Sequence, residues 1–500
     1  MNDKLQRLNA LTAEIVDLNG IAALLGWDQH VFMPSGGVED RGNQMALIGG
    51  LAHDRITSDE MGKLISELES EIGDLNADTD EARTVRKAKW NYEQNTKIPK
   101  QMVMEFLMVT TEATEVWVKA RQNNDFMSFQ PVLQRIVELR RDMANLFKPF
   151  DHIYDPLLDA FEPGMKTADV RQIFNDLRPK QVELLKAIAA AKQVDDSFIK
   201  QNYNKEYQEK FGRYVISRFG YDWNRGRLDV TAHPFTTGFG LGDIRITTRY
   251  LEYDGASSLF GTMHESGHAM YSQGLAKKYA RTALDEASSL AFHESQSRMW
   301  ENLIGRSKEF WSYFYPTFQM LFPEHLNNVD LNTFYKGINK VEPSMIRVEA
   351  DEATYNMHIM LRLEIEIGLI ENSMSTKDLP EIWNAKMKDY LGITPPNDSQ
   401  GVLQDVHWSG GMIGYFSTYA LGNLLSVQLW EKMLIDHPNI PDEIAKGEFS
   451  TILGWLCENV HQHGSKYNPQ ELIQRITGSK ITPEPYLRYL NKKYQEIYDL

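Results

Sequence analysis

Apolar residues recur at mixed spacings of three and four through residues 61–74 and 83–115, with Glu, Lys and Arg between them. A helix needs that period to gather one apolar face, so both stretches predict amphipathic helices. Pro99 falls inside the second and is expected to start or kink a helix there. Residues 128–147 and 170–195 repeat the pattern. The texture changes at 222–250, DWNRGRLDVTAHPFTTGFGLGDIRITTRY, where glycine, threonine and alternation replace the helical period. DIRITTRY and RLDVTAH read as short strands of a small sheet. Helical spacing returns after residue 255 and includes 345–366, while 392–413 and 438–448 read as loops. The expected fold class is therefore mostly α with one small β-sheet.

Composition narrows the function classes. The 500 residues are 42% hydrophobic and 24% charged, as in an ordinary globular protein. A formal net charge of −16, from 53 basic against 69 acidic side chains, repels phosphate backbones, so no nucleic-acid partner is expected. Cys457 stands alone, so no intrachain disulfide forms. The charged, amphipathic start lacks a signal-peptide pattern, and no uninterrupted apolar run approaches about 18 residues. The expectation is a cytoplasmic protein with no membrane partner. Gly238, Gly240 and Gly242 do not form a dinucleotide loop, because no βαβ pattern surrounds them.

The segment GTMHESGHAMYS, residues 261–272, carries the first candidate chemistry. On a helix, His264 and His268 lie on one face, roughly 5–6 Å apart, and can grip one metal ion. Glu265 is displaced by about 100° around the helix and is free to act on a water instead. Asp254 or Ser257 is placed to cap this helix and Gly274 to end it. Apolar Leu259, Phe260, Met263, Met270 and Tyr271 bury it, and buried polar groups are costly unless paired or metal-bound. A catalytic zinc takes three protein ligands. A third histidine six residues beyond His268 is absent, since that position is Gly274. The segment 281–303 offers Glu286, His293, Glu294 and Glu301. Glu294 shares an apolar face with Leu290 and Ala291 and is favoured over Glu286.

Three other segments hold polar groups that need a reason. His233 precedes Pro234 and is expected in extended backbone. Arg347 stands where Glu349, Asp351 and Glu352 gather at an expected helix start, an end that does not favour a cation. A carboxylate partner or a substrate role would explain it. Residues 401–423 bring Gln404, Asp405, His407, Trp408, Tyr415 and Tyr419 around Gly410, Gly411 and Gly414. That loop either buries a tryptophan or presents hydrogen-bond donors to a developing oxyanion.

Taken together, the motifs resemble the carboxypeptidase Taq family, the M32 metallocarboxypeptidases. HPF at 233–235 matches one family motif, and Asp243, Arg245 and Thr247 match its DxRxT. His264, Glu265 and His268 match HExxH, and Glu294 in HESQS matches the third metal ligand. Ile346, Arg347, Ala350 and Asp351 match IRxxAD; Gly401, Gln404, Asp405, His407 and Trp408 match GxxQDxHW. LLGWDQHVFMP, residues 24–34, also has the family's look.

The resemblance implies a saddle-like helical zinc-peptidase fold with a deep groove, similar to neurolysin and angiotensin-converting enzyme. It implies one peptidase unit over 1–500, with a helical lobe and groove wall over 1–220 and a catalytic region over 221–500. The latter would hold the sheet (221–250), the HExxH helix (255–273) and a substrate loop (401–415). It further implies a homodimer that removes single residues from free peptide C termini with broad specificity. One Zn2+ per chain would be held by His264, His268 and Glu294, with Co2+ able to substitute. Glu265 would be the general base. His407 and Tyr415 would be transition-state donors, with Tyr419 in reserve. Arg347 would bind the terminal carboxylate, with Arg245 second, and His233, Asp243 and Gln404 would line the substrate site. The rival readings are a zinc oligo-endopeptidase and a non-catalytic peptide-binding protein.

Overall fold

The computed structural model describes all 500 residues. The chain divides into two compact units, each assembled from three segments: Met1–Thr96, Asp195–Ile338 and Leu429–Gly478 in the first, Lys97–Val194, Asn339–Gln428 and Ser479–Leu500 in the second. Residues 220 and 221 both lie in the middle segment of the first unit, so neither unit is a contiguous half of the chain.

Helices dominate both units, and the single sheet has three strands. The period over 83–115 resolves into helices Asp80–Thr96 and Lys100–Asn123, with Pro99 immediately before the second. The sheet comprises β1 (Leu228–Val230), β2 (Thr236–Gly238) and β3 (Ile244–Thr248). Central β3 runs parallel to β1 and antiparallel to β2, with Ile246 opposite both Leu228 and Thr236. The sequence reading did not assign β2, which at three residues is too short to show alternation.

In the first unit, helix Asn2–Val31 buries Leu8, Leu11 and Ile15 against Met61, Ile65, Leu68 and Val85. By length and composition this helix is apolar enough to cross a membrane, a property the sequence reading did not assign to it. It also carries Asp17, which pairs with Arg281. The sheet packs on helix Ser257–Gly274, where the Thr262 hydroxyl meets that of Thr248 on β3 at 3.0 Å. Asp254 accepts hydrogen bonds from the backbone N–H groups of Ala256 and Ser257 and so caps the helix from just outside it.

In the second unit, helix Tyr355–Ile370 is buried from end to end. Its start corrects the helix expected over 345–366. Arg347–Glu349 is only a 3-10 turn, and the backbone stays irregular until Tyr355. The Asp351 carboxylate takes up the N–H groups of Ala353 and Thr354, the capping role its acidic character suits. Arg347 therefore stands in a loop before the helix. The expected loop over 438–448 also contains a short helix, Ile440–Ile444.

Candidate metal centre and donor cluster

Helix Ser257–Gly274 and helix Leu290–Arg298 lie backbone to backbone. A Cβ on Gly267 would stand 2.7 Å from the carbonyl oxygen of Gln296 and from Cα of Ser297, so only glycine permits this approach. The approach draws Glu294 to the two histidines. Glu294 Oε2 is 3.5 Å from His264 Nε2 and 3.4 Å from His268 Nε2. One donor atom from each residue falls within 4.8 Å of the other two. Ligands about 2.1 Å from an ion at tetrahedral angles stand about 3.4 Å apart, so this His2Glu set has the spacing and donor chemistry of a catalytic zinc site.

The surrounding groups fix these three. His264 Nδ1–H donates to Glu301 Oε2 at 2.8 Å, which turns its Nε2 lone pair toward Glu294. Glu301 sits in a π-helical turn, Met299–Ile304, that directly follows the glutamate helix. Arg298 donates to Glu294 Oε1 at 2.6 Å and to Glu301 Oε2 at 3.3 Å. His268 Nδ1–H points at Nδ1 of His293, 2.5 Å away. The far nitrogen of His293 lies 3.5 Å from the Ser272 hydroxyl. Burial and the adjacent His268 hold the His293 ring neutral, its pKa well below the usual range. Burial opposes ionisation of Glu294, but Arg298 and the histidines outweigh it and hold its carboxyl well below the ordinary range. The same contest, won by Arg298 and His264, brings Glu301 down to about 2. Burial likewise works against a charge on His264, and Glu294 and Glu301 overcome it and raise its pKa.

Glu265, buried beside these ligands, is held from the sheet: the Thr236 hydroxyl of β2 lies 2.6 Å from its Oε2 and 2.9 Å from its carbonyl oxygen. Glu286, the alternative third ligand, is half exposed and pairs with Lys87 at 3.2 Å. Arg245 makes a two-pronged pair with Asp243 (2.9 and 2.7 Å) and lies against the rings of Trp27 and Phe239. The His233 side chain is exposed, and its carbonyl accepts from Thr231.

The second unit gathers a different cluster around residues 401–416. Asp405 Oδ1 accepts from Arg347 Nε (3.1 Å) and Nη2 (2.9 Å), and its Oδ2 accepts from Arg362 Nε (2.7 Å). Arg347 Nη1 donates to the Tyr355 hydroxyl at 2.8 Å. One N–H on each terminal nitrogen of Arg347 is left over from these bonds. Gln404 Oε1 accepts from the Arg347 backbone N–H and from Arg362 Nη2, each at 2.8 Å. The Tyr419 ring lies 5.0 Å from the Arg347 guanidinium carbon. The His407 ring centre lies 5.5 Å from that of Tyr415 and 4.5 Å from that of Phe416. Burial, reinforced by Arg347 and Arg362 against the pull of Asp405, lowers His407 to about 4. Burial would raise Asp405, but Arg362 and Arg347 hold it far below the usual range. Two guanidinium groups thus share one carboxylate, and the cluster keeps a positive charge in excess.

Residues 7–494 match the family model described as Carboxypeptidase Taq (M32) metallopeptidase. The chain belongs to this family. Thermostable carboxypeptidase 1 of Thermus thermophilus is 40% identical over 503 residues, which cover 99% of this chain and 98% of that protein. Carboxypeptidase 1 of Bacillus subtilis is 41% identical over 477 residues, 95% of each chain. The crystal structure of an M32 carboxypeptidase from Deinococcus radiodurans R1 covers 100% of both chains with a TM-score of 0.96 at 39% identity. The mostly helical fold with a small sheet is therefore that of solved M32 enzymes.

Several residues around the M32 motifs escaped the sequence reading. Thr236 follows HPF directly, but nothing in its spacing points at Glu265. Arg298 lies one helical turn beyond Glu294, a spacing that predicts the pair once Glu294 is placed. Arg362, Glu364 and Glu366 interrupt the otherwise apolar MLRLEIEIGL, and the first and last are fully buried. Charges at every second position of such a run are the signal that would have found them.

Proposed function

We propose that this M32 chain is a zinc-dependent carboxypeptidase that releases single residues from free peptide C termini with broad specificity. In this reading it acts as a homodimer, and Co2+ can replace Zn2+. His264, His268 and Glu294 hold the ion. When bound, it supplies Lewis acidity that polarises the scissile carbonyl and acidifies a water. Glu265 takes the proton from the attacking water and passes it to the leaving amine. The Thr236 hydroxyl keeps the Glu265 carboxylate in one orientation meanwhile. His407 and Tyr415 donate hydrogen bonds to the developing oxyanion, with Tyr419 as the alternative donor. His407 does so as a neutral imidazole, since burial lowers its pKa to about 4. Arg347, with Gln404 and Asp405 fixing its orientation, binds the terminal carboxylate. Asp243, Arg245 and His233 would belong to the same substrate site.

The observation that carries the exopeptidase reading is the positive excess of the Arg347–Arg362–Asp405 cluster. A buried charge is stabilised by an opposite one, and a substrate carboxylate is the anion this reading supplies. Product analysis of the metal-loaded protein on an unblocked peptide and on its C-terminal amide tests it. Stepwise release of single residues from the acid, with the amide resistant, is expected. Internal cleavage of both peptides would favour an oligo-endopeptidase. No turnover of either, with metal bound, would favour a peptide-binding protein.

A further inference from the structure

Helix Tyr355–Ile370 carries His358, Arg362 and Glu366 at four-residue intervals, each with 0% of its surface exposed. Arg362 belongs to the cluster already described, and Glu366 does not. Its carboxylate accepts three hydrogen bonds in full burial. Trp408 Nε1 donates to Oε1 at 2.8 Å. The Tyr154 hydroxyl and the Gly414 backbone N–H donate to Oε2 at 2.6 and 2.9 Å. Trp408 directly follows His407, and Gly414 directly precedes Tyr415. One carboxylate therefore grips the chain beside both oxyanion donors.

Residues 401–416 contain no helix or strand and are held from within by turns alone, such as Met412 N–H to the His407 carbonyl at 2.9 Å. Beyond Arg347 and Arg362, other side chains of the same unit also hold them. Arg140 Nε donates to the Gly411 carbonyl at 2.7 Å, and Trp117 Nε1 donates to that of Leu403 at 3.0 Å. Gly414 has φ +104°, and a Cβ there would stand 2.2 Å from the Leu157 carbonyl oxygen. The Tyr154–Leu158 segment thus lies flush against the loop where its hydroxyl meets Glu366. All three partners of Glu366 donate, so the ionised carboxylate is the form that fits. Burial opposes that form and lifts the Glu366 pKa to about 7, although the three hydrogen bonds and Arg362 pull it back. Keeping a carboxylate here is costly, and an apolar side chain in its place would leave the Trp408, Tyr154 and Gly414 donors without it, so carboxylate and donors stand or fall together. The distinctive thing the carboxylate provides is placement, and transition-state donors lose effect with sub-ångström errors.

We propose that Glu366, with Tyr154, is a positioning residue of the peptidase reaction, setting Tyr415 through Gly414 and His407 through Trp408. The proposal rests on reading Tyr415 and His407 as oxyanion donors. Tyr154→Phe deletes one clamp bond and leaves the ring in place. It is expected to lower kcat roughly tenfold, a fraction of the about 10²-fold that a 1 Å misplacement can cost. KM and metal content should stay at wild-type values, because ground-state binding is untouched. In a Tyr415→Phe background the same change should lower kcat less than about twofold, since its route is already gone. Trp408→Phe, read against a His407→Gln background, gives the parallel result for the other oxygen and serves if Tyr154→Phe does not fold. Wild-type kcat in both Tyr154→Phe and Trp408→Phe, beside an impaired Tyr415→Phe, would overturn the clamp alone. Equal losses in the parent and Tyr415→Phe backgrounds would also overturn it. Wild-type kcat in Tyr415→Phe itself would overturn the donor reading and the clamp with it.

Discussion

The two buried charge clusters are opposite in sign. Around the metal centre, Arg298 and Arg306 pair with Glu294 and Glu301, and Glu265, which accepts from the Thr236 hydroxyl, adds a third carboxylate, a negative excess. Around residues 401–416, Arg347, Arg362 and Arg140 stand against Asp405 and Glu366, a positive excess. Neither cluster is neutral by itself, and buried charge without a partner is expensive. In the proposed function a metal cation matches the first sign and a substrate carboxylate the second. The rest of each cluster is neutralised internally, which is why Arg298 and Asp405 are as well connected as the residues assigned to ligands.

The largest expected effect breaks the comparison at Glu265. Glu265→Gln removes a negative charge and the proton acceptor together while leaving His264, His268 and Glu294 in place. Turnover should fall by roughly 10²–10⁴-fold or more. Elemental analysis of the same preparation should still find metal. A metal-replete Glu265→Gln enzyme with near-normal kcat would remove Glu265 from the mechanism.

The next effect sharpens the negative side. Glu301 bonds His264 Nδ1 and is not among the three residues proposed to hold the ion, so Glu301→Gln should weaken metal affinity by about 10–100-fold without abolishing it. Competition with a chelator, read by metal content, measures this. Glu294→Gln should lose the metal outright in the same titration. Equal affinities for the two variants would mean that Glu294 is not a ligand.

How much of this was legible beforehand follows from which contacts are local. His264 and His268 show in the sequence because four residues make one helical turn, and Glu294 shows because a carboxylate on an apolar face needs a reason. The bond from Thr236 to Glu265 spans 29 positions, and that from Trp408 to Glu366 spans 42, so no local period records them. The helix expected from residue 345 begins at Tyr355, since Asp351 and Arg347 spend their hydrogen-bonding groups on loop and tertiary partners. Periodicity sees apolar spacing and is blind to that competition. Strand β2 escapes for a different reason, since three residues are too few to show alternation.

The smallest expected effect concerns pH. Burial lowers His407 to about 4, whereas an unfolded histidine titrates near about 6.5. Between those values the unfolded chain binds a proton that the folded chain refuses. The stability this neutral ring contributes is therefore present above pH of about 6.5 and lost as pH falls through about 4. Thermal midpoints taken across that window should fall less steeply for His407→Asn than for wild type. Parallel slopes would show that His407 is not held neutral.

The most direct test of the opposite-sign account compares free-acid and amidated peptides on wild type and Arg347→Ala. A hydrogen bond between charged partners contributes about 1.5–3 kcal/mol, so losing it should lower kcat/KM on the free acid by roughly 10–200-fold. The amide, which lacks the charge, should lose little, and the preference for the acid should collapse in the variant. Equal losses on acid and amide in a folded, metal-replete Arg347→Ala protein would contradict the account and leave Arg347 as a structural partner of Asp405.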